Sequence, residues 1–200
     1  MGRRIICENN LKINYSSLFI MPSLTIDEVL RFSKWKSNVF IETGTYLGET
    51  ISNVVNNFDR VYSIELSSNY AQKAIEKFKN NAKVKIIQGD SSVVIGDLAD
   101  KVNDSVFFWL DGHWSSGDTA RGNLDCPLLE EVKQINNKYK NKCILAIDDV
   151  RLFGTYVTED WSNITRDSVL NIVKDRLVSC DYFPSHLNSE DRMVLHLRDL

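Results

Sequence analysis

From residue 38 onward the chain alternates between short apolar runs and amphipathic stretches. The runs at 39–43, 60–66, 84–88, 105–110 and 143–147 are five to seven residues long and rich in β-branched and aromatic residues, which predicts strands. Between them, 49–57, 68–80, 124–139 and 166–177 carry helical periodicity, with Pro127 in a first turn, where proline is tolerated. Strands apolar on both faces, separated by helices, predict a parallel sheet covered on both sides. The last two predicted strands, 181–187 and 192–198, are joined by a short polar turn. That permits an antiparallel hairpin but no crossover. The expected architecture is therefore α/β: a Rossmann-like, seven-stranded, mostly parallel sheet with a reversed strand at its C-terminal end. Residues 1–200 read as one domain, with an arm at 1–36 and a core at 37–200. Within the arm, 25–36 fits an amphipathic helix capped by Thr25 or Ser23. The arm is expected either to cover the site or to form a homodimer contact.

Composition narrows the class. Hydrophobic residues make up 43% and charged residues 26% of 200, which is ordinary for a soluble globular chain. A net charge of −3 argues against a general nucleic-acid binder. No apolar run is long enough to span a bilayer, and residues 1–17 hold Arg3 and Arg4 without the apolar core of a signal peptide. Cys7, Cys126, Cys143 and Cys180 are scattered and form no CxxC pair, which predicts free thiols in a reducing, cytoplasmic setting and no zinc site.

The chemistry is expected where α/β sheets bind ligands, at the carboxyl ends of the strands. Five predicted strands end on polar residues there: Glu42, Gly44 and Thr45; Glu65; Asp90 and Ser91; Asp111 and His113; Asp148 and Asp149. Any one acid has a plain alternative as a helix N-cap. Five in phase on one edge point to a shared crevice. Glu65 follows Gly44 by the spacing of a carboxylate that grips ribose hydroxyls, which suits NAD or S-adenosylmethionine. The glycines stand at Gly44 and Gly48 without the G-x-G-x-x-G of a pyrophosphate site. Glu42 beside them would repel a pyrophosphate but tolerate a cationic sulfonium donor. Asp111, Asp148 and Asp149 offer three oxygen ligands suited to Mg²⁺ or Mn²⁺. The alternative is that Asp149 caps a helix or pairs with Arg151.

These residues resemble a known family. The stretch 39–198 is similar to the class I S-adenosylmethionine-dependent methyltransferases, including the reversed last strand. Within that class, "ETGTYLGET" (42–50), Glu65, Asp111 and Asp148-Asp149 resemble the Mg²⁺-dependent O-methyltransferases, of the catechol or the sugar branch. "FFWLDGHWSSGDTARGNLDCPLLEEV" further resembles small methyltransferases found beside or fused to glycosyltransferases, including rhamnose-methylating domains of large chlorovirus glycosyltransferases. The resemblance implies O-methylation of a sugar hydroxyl in a glycan and, for a viral protein, the host cytoplasm. Glu42, Gly44 and Thr50, with Thr45, Tyr46 and Gly48, would face the methionine part of the donor. Glu65 would hold the ribose, Asp90 and Ser91 would lie by the adenine, and Asp111, Asp148 and Asp149 would bind the metal, Asp111 also bordering the donor.

His113 stands where the catechol branch has a lysine nearby and the sugar branch a carboxylate. It is therefore the candidate base, beside a reading as a plain loop histidine. Trp114, Arg121 and Trp161 are candidate substrate contacts; the alternatives are packing for the tryptophans and a solvated loop position for Arg121. Residues 115–123 are small and polar enough for a mobile lid. Two other classes compete: an NAD-dependent oxidoreductase and a non-catalytic binding module.

Overall fold

The computed structural model describes residues 23–115, 117 and 119–200. Seven strands form one sheet: β1 (Val39–Thr43), β2 (Arg60–Glu65), β3 (Val84–Gln88), β4 (Val106–Leu110), β5 (Cys143–Ile147), β6 (Leu177–Phe183) and β7 (Arg192–Leu197). Their order is β3-β2-β1-β4-β5-β7-β6. All neighbours run parallel except β7, which is antiparallel to both β5 and β6. The fold is therefore the expected one, a Rossmann-like mixed sheet with one reversed strand.

Six helices cover it: α1 (Ile26–Phe32), α2 (Glu49–Val54), α3 (Ser68–Phe78), α4 (Ser91–Lys101), α5 (Leu128–Lys138) and α6 (Arg166–Val173). Alternate strand residues feed two cores. Val39 and Ile41 pack with α4, α5 and α6, while Phe40 packs with α1 and α2. β1, β4 and β5 are buried along their whole length, as their unbroken apolar runs require.

Several boundaries differ from expectation. α4 was not foreseen; Asp90 caps it, its carboxylate accepting from the Ser92 N–H, and Ile95, Leu98 and Ala99 face the core. α5 begins only at Leu128, with Pro127 as its N-cap, so 124–127 is not helical. α6 stops at Val173 instead of 177, and β6 spans 177–183 where the strand is expected at 181–187. Arg176, 1% exposed, holds that break by donating to the carbonyls of Arg198, Tyr139 and Asn141.

The arm divides at the boundary of the described region. Residues 1–22, and any cover or dimer contact they make, lie outside the described residues. The remainder belongs to the core: Thr25 and Glu28 form a capping box at the start of α1, and Leu24, Val29 and Phe32 are buried against the sheet. Among the described residues no helix is long and apolar enough to cross a membrane, and Cys126, Cys143 and Cys180 are free.

Candidate active site

Strand register sets the site. Thr43, Leu110 and Ile147 stand side by side at the carboxyl ends of β1, β4 and β5, so Gly44, Asp111 and Asp148 leave the sheet together. A cavity of about 700 Å³ opens over this edge, within the ~300–1,000 Å³ range of small-molecule sites. Gly44, Thr45, Tyr46, Thr50, Glu65, Asp90, Ser91, Asp111, His113 and Trp114 all line it. Of the residues expected at the site, Glu42, Gly48, Asp148, Asp149, Arg121 and Trp161 do not.

The loop after β1 is glycine-rich because chain meets chain there. Gly44 has φ +83°, and a Cβ on it would stand 2.5 Å from the Asp111 carbonyl oxygen. Gly48 has φ +68°, and a Cβ there would meet the Phe78 ring at 2.7 Å. So Gly48 caps α2 and packs against Phe78 of α3. Between them Tyr46 takes φ 45°, an uncommon backbone for a bulky side chain. It is held by its N–H, which donates to Glu65 Oε2 at 2.8 Å, while the Ser67 N–H donates to Oε1 at 2.8 Å. Each Glu65 oxygen keeps a further lone pair for a ligand hydroxyl.

Glu42 departs from its expected place facing the donor. It is 1% exposed beneath the loop and accepts from Ser63 Oγ at 2.6 Å, while its Oε2 has no hydrogen-bond partner among the described residues. Burial pushes its carboxyl up to about 8 against the pull of that bond, so it carries its proton at neutral pH. Asp90 serves the helix and borders the cavity. It caps α4 through Oδ1, which accepts from the Ser92 N–H at 3.0 Å, and it lines the cavity.

The three aspartates expected to share a metal do not converge. Asp148 continues the alternation of β5 and turns toward the face covered by α1. There its Oδ1 accepts from Arg192 Nε at 3.3 Å, and Arg192 also pairs with Glu28 of α1. Burial raises the Asp148 carboxyl to about 7, while Arg192 works the other way. Asp149 has a left-handed backbone, φ 60°, which returns its side chain to the cleft, where it pairs with His113 and Arg151. Among the described residues two sets do converge, each with one donor atom per residue inside 4.8 Å of the others: Asp111, His113 and Asp149 at the cavity end, and Asp148, Asp149 and Asp191 behind it, where Arg151 and Arg192 already pair with the acids. Asp111 is the most open of the acids, its side chain 31% exposed against 15% for Asp149 and 5% for Asp148. Burial, and then repulsion from Asp148 and Asp149, raises its carboxyl well above the usual range.

His113 is not a free base. Its Nε2 lies 2.8 Å from Asp149 Oδ2 and its Nδ1 lies 2.9 Å from Glu159 Oε2. A neutral imidazole has one N–H and so can donate to only one of these carboxylates. Burial alone would push the ring's pKa down, but hydrogen bonds to Asp149 and Glu159 and the charge of Asp111 override it and hold the ring well above its ordinary value.

Of the expected substrate contacts, only Trp114 is on the cavity wall. Trp161 is 3% exposed, stacks on Phe153 and donates its Nε1–H to Glu159 at 2.9 Å; it is a packing residue. Arg121 lies over the Trp114 ring at 4.4 Å and grips Asp125 through two bonds of 2.6 and 3.0 Å. Of the expected lid, Ser115, Thr119, Ala120, Gly122 and Asn123 also line the cavity, and residues 116 and 118 lie outside the described residues.

Two acids had not been singled out. Glu131 of α5 is 1% exposed, its Oε1 has no hydrogen-bond partner among the described residues, and burial raises its carboxyl to about 7. It occupies the apolar stripe Leu128–Val132–Ile135, so an acid in a buried helical phase was the available signal. Glu159 lies in an irregular loop with no periodicity to reveal it.

No family model matches the chain, and no curated protein does. Solved structures share the fold. SMU.1697c from Streptococcus mutans, in complex with SAH, superposes with a TM-score of 0.55 at 19% identity, over 90% of this chain and 100% of that one. The N-methyltransferase NodS from Bradyrhizobium japonicum WM9 gives 0.56 at 10%, over 86% and 93%. A SAM-dependent methyltransferase from Aquifex aeolicus gives 0.52 at 16%, over 87% and 89%. The architecture is thus the Rossmann-like fold of the class I methyltransferases.

Proposed function

We propose that the protein is an S-adenosylmethionine-dependent O-methyltransferase that acts on a sugar hydroxyl, in a glycan such as a rhamnoside. The observation that carries this reading is the meeting of Glu65 and the Asp111–His113 pair on one cavity in this fold. Glu65, its carboxylate aimed by two backbone N–H groups, accepts from the ribose hydroxyls of the donor. Asp90 and Ser91 border the adenine end. The acceptor sugar enters beside Trp114, whose ring offers an apolar face.

A divalent cation fits at Asp111, His113 and Asp149. Two carboxylates and an imidazole nitrogen lie within reach of one ion, and the repulsion that raises Asp111 is what a cation would relieve. The nitrogen donor suits Mn²⁺ better than Mg²⁺. When bound, such an ion lowers the pKa of an acceptor hydroxyl. In the transfer the methyl carbon leaves sulfur for the acceptor oxygen, and the hydroxyl proton must find a base. Asp111 is placed to take it, being the most exposed of the acids and having two oxygens. The same reading sets the chain beside, or fused to, a glycosyltransferase in the cytoplasm.

The test is a panel of free sugars and glycosides, rhamnosides included, incubated with S-adenosylmethionine and either Mn²⁺, Mg²⁺ or chelator. S-adenosylhomocysteine formation with a glycoside, lost in chelator, is the expected result. Calorimetric binding of NAD in place of S-adenosylmethionine would overturn it.

A further inference from the structure

Residues 155–161 form a tight hairpin beside the cavity. The Gly154 N–H donates to the Trp161 carbonyl at 3.1 Å, the Trp161 N–H donates to the Thr155 carbonyl at 3.0 Å, and Tyr156 and Asp160 form a β-bridge. The hairpin is fastened to the cavity wall, because the Asp160 N–H donates to Asp125 Oδ2 at 3.1 Å and Asp125 in turn holds Arg121. From this frame Glu159 reaches inward with its side chain 13% exposed. One oxygen, Oε2, is shared between His113 Nδ1 at 2.9 Å and Trp161 Nε1 at 2.9 Å. Burial would raise this carboxyl, but the bonds from His113 and Trp161 outweigh it and hold it ionised.

We propose that Glu159 is the positioning residue of the site: it accepts the Nδ1–H of His113 and so fixes the ring with Nε2 turned to Asp111 and Asp149. This rests on the reading of that cluster as the reactive end of the cavity. The geometry leaves the ring little choice. Trp161 packs against it edge-on at 5.1 Å, and the Trp114 carbonyl lies 3.3 Å from the same Nδ1. An acceptor on Nδ1 commits that nitrogen to carrying a proton, so Nε2, which here lies 2.8 Å from Asp149, is the nitrogen that would serve a cation. Trp161, by occupying the same carboxylate oxygen, keeps Glu159 from turning away.

The experiment uses the full chain labelled with ¹⁵N-histidine, with His113 assigned by elimination against His186→Gln and His196→Gln. In the wild type the His113 Nδ1–H should appear as a protected resonance, with no cation or substrate present. In Glu159→Ala it should vanish into solvent exchange. In Glu159→Gln, which retains an acceptor but loses the charge, it should persist and exchange about five- to tenfold faster. Calorimetry with Mn²⁺ should show roughly 10–100-fold weaker binding to Glu159→Ala. An unprotected Nδ1–H in the wild type overturns the proposal, as does equal exchange in wild type and Glu159→Gln, the arm that stands even where the alanine variant does not fold. If Mn²⁺ binds neither protein while the resonances behave as described, the metal reading fails and the positioning role of Glu159 stands.

Discussion

The carbonyl oxygen of Asp111 stands 2.5 Å from the point that a Cβ on residue 44 would occupy. The first strand's loop and the fourth strand's end are therefore in direct contact at Gly44, and the distance between the two halves of the cavity depends on that residue having no side chain. Gly44→Ala adds both backbone strain at φ +83° and an overlap with main chain that cannot rotate away. We expect a loss of at least ~2 kcal/mol, and a weaker site for S-adenosylhomocysteine in whatever folds. A urea melt together with calorimetry checks both; an unchanged melt would mean that the loop yields.

Glu65→Ala should weaken S-adenosylmethionine binding by roughly ten- to a hundredfold, the worth of a hydrogen bond to a charged group. It should also cost stability, because the N–H groups of Tyr46 and Ser67 lose their acceptor. Glu65→Gln separates the two effects, since an amide oxygen can still serve one of those N–H groups. Binding by Glu65→Ala as tight as the wild type's would remove Glu65 from the donor site.

Asp148 and Asp149 are neighbours in sequence but should behave differently. Asp149→Asn should abolish cation binding at the Asp111–His113–Asp149 cluster, read by Mn²⁺ calorimetry. Asp148→Asn should leave cation binding measurable and lower the melting temperature, because it breaks a pair with Arg192 in which both side chains are nearly fully buried. Loss of cation binding in Asp148→Asn, with an unchanged melt, would restore the three-aspartate set.

Arg192→Met strands Asp148 without its counter-charge and should destabilise by about 3–5 kcal/mol. Asp148→Asn in that background should recover part of the loss. A double-mutant cycle by chemical denaturation measures the coupling; additive effects would show that the pair is not an energetic unit.

Stability should fall as pH rises from mild acid to slight alkalinity. Glu42 is raised from its ordinary 4.5 to about 8, and Glu131 to about 7. Below the lower value both folded and unfolded chains hold the protons, and these groups stabilise in full. Between the two values the unfolded chain has lost its protons and the folded one has not, so each step up in pH favours unfolding. Glu42→Gln should flatten urea midpoints measured between about pH 5 and 8; a slope as steep as the wild type's would show that Glu42 is ionised in the fold.

The parallel strands and their chemistry were legible in the sequence for one reason. A strand buried on both faces leaves an unbroken apolar run, and the polar residue that ends it marks the sheet edge. β1 and β5 fall where those runs predict them, while β3, an edge strand with no fully buried residue, shows itself by its β-branched residues alone. Helix α4 escaped notice because its polar residues, Ser91, Ser92, Asp97 and Asp100, interrupt the apolar phase, while its cap, Asp90, had been read as a ligand. The β6 boundary was missed because nothing local to 174–177 ends a helix; a buried arginine bonded to four distant carbonyls does. The site was legible as a set of acids but not as a geometry. Alternation sends Asp148 to one face, and only the backbone twist at Asp149, which no residue pattern announces, brings the next acid back to the cleft. His113's acceptor, Glu159, lies 46 residues along the chain from it, a distance that only the fold spans.

The placement of β7 between β5 and β6 bears on how the chain is made. Asp148 precedes its partner Arg192 by 44 residues. At ribosomal speeds of roughly 5–20 residues per second, that is a gap of about two to nine seconds. Throughout it the nascent sheet has β5 as a bare edge, with an acid at its end and no guanidinium to meet it. The Asp148–Arg192 pair then closes only when the reversed strand arrives and slots into place.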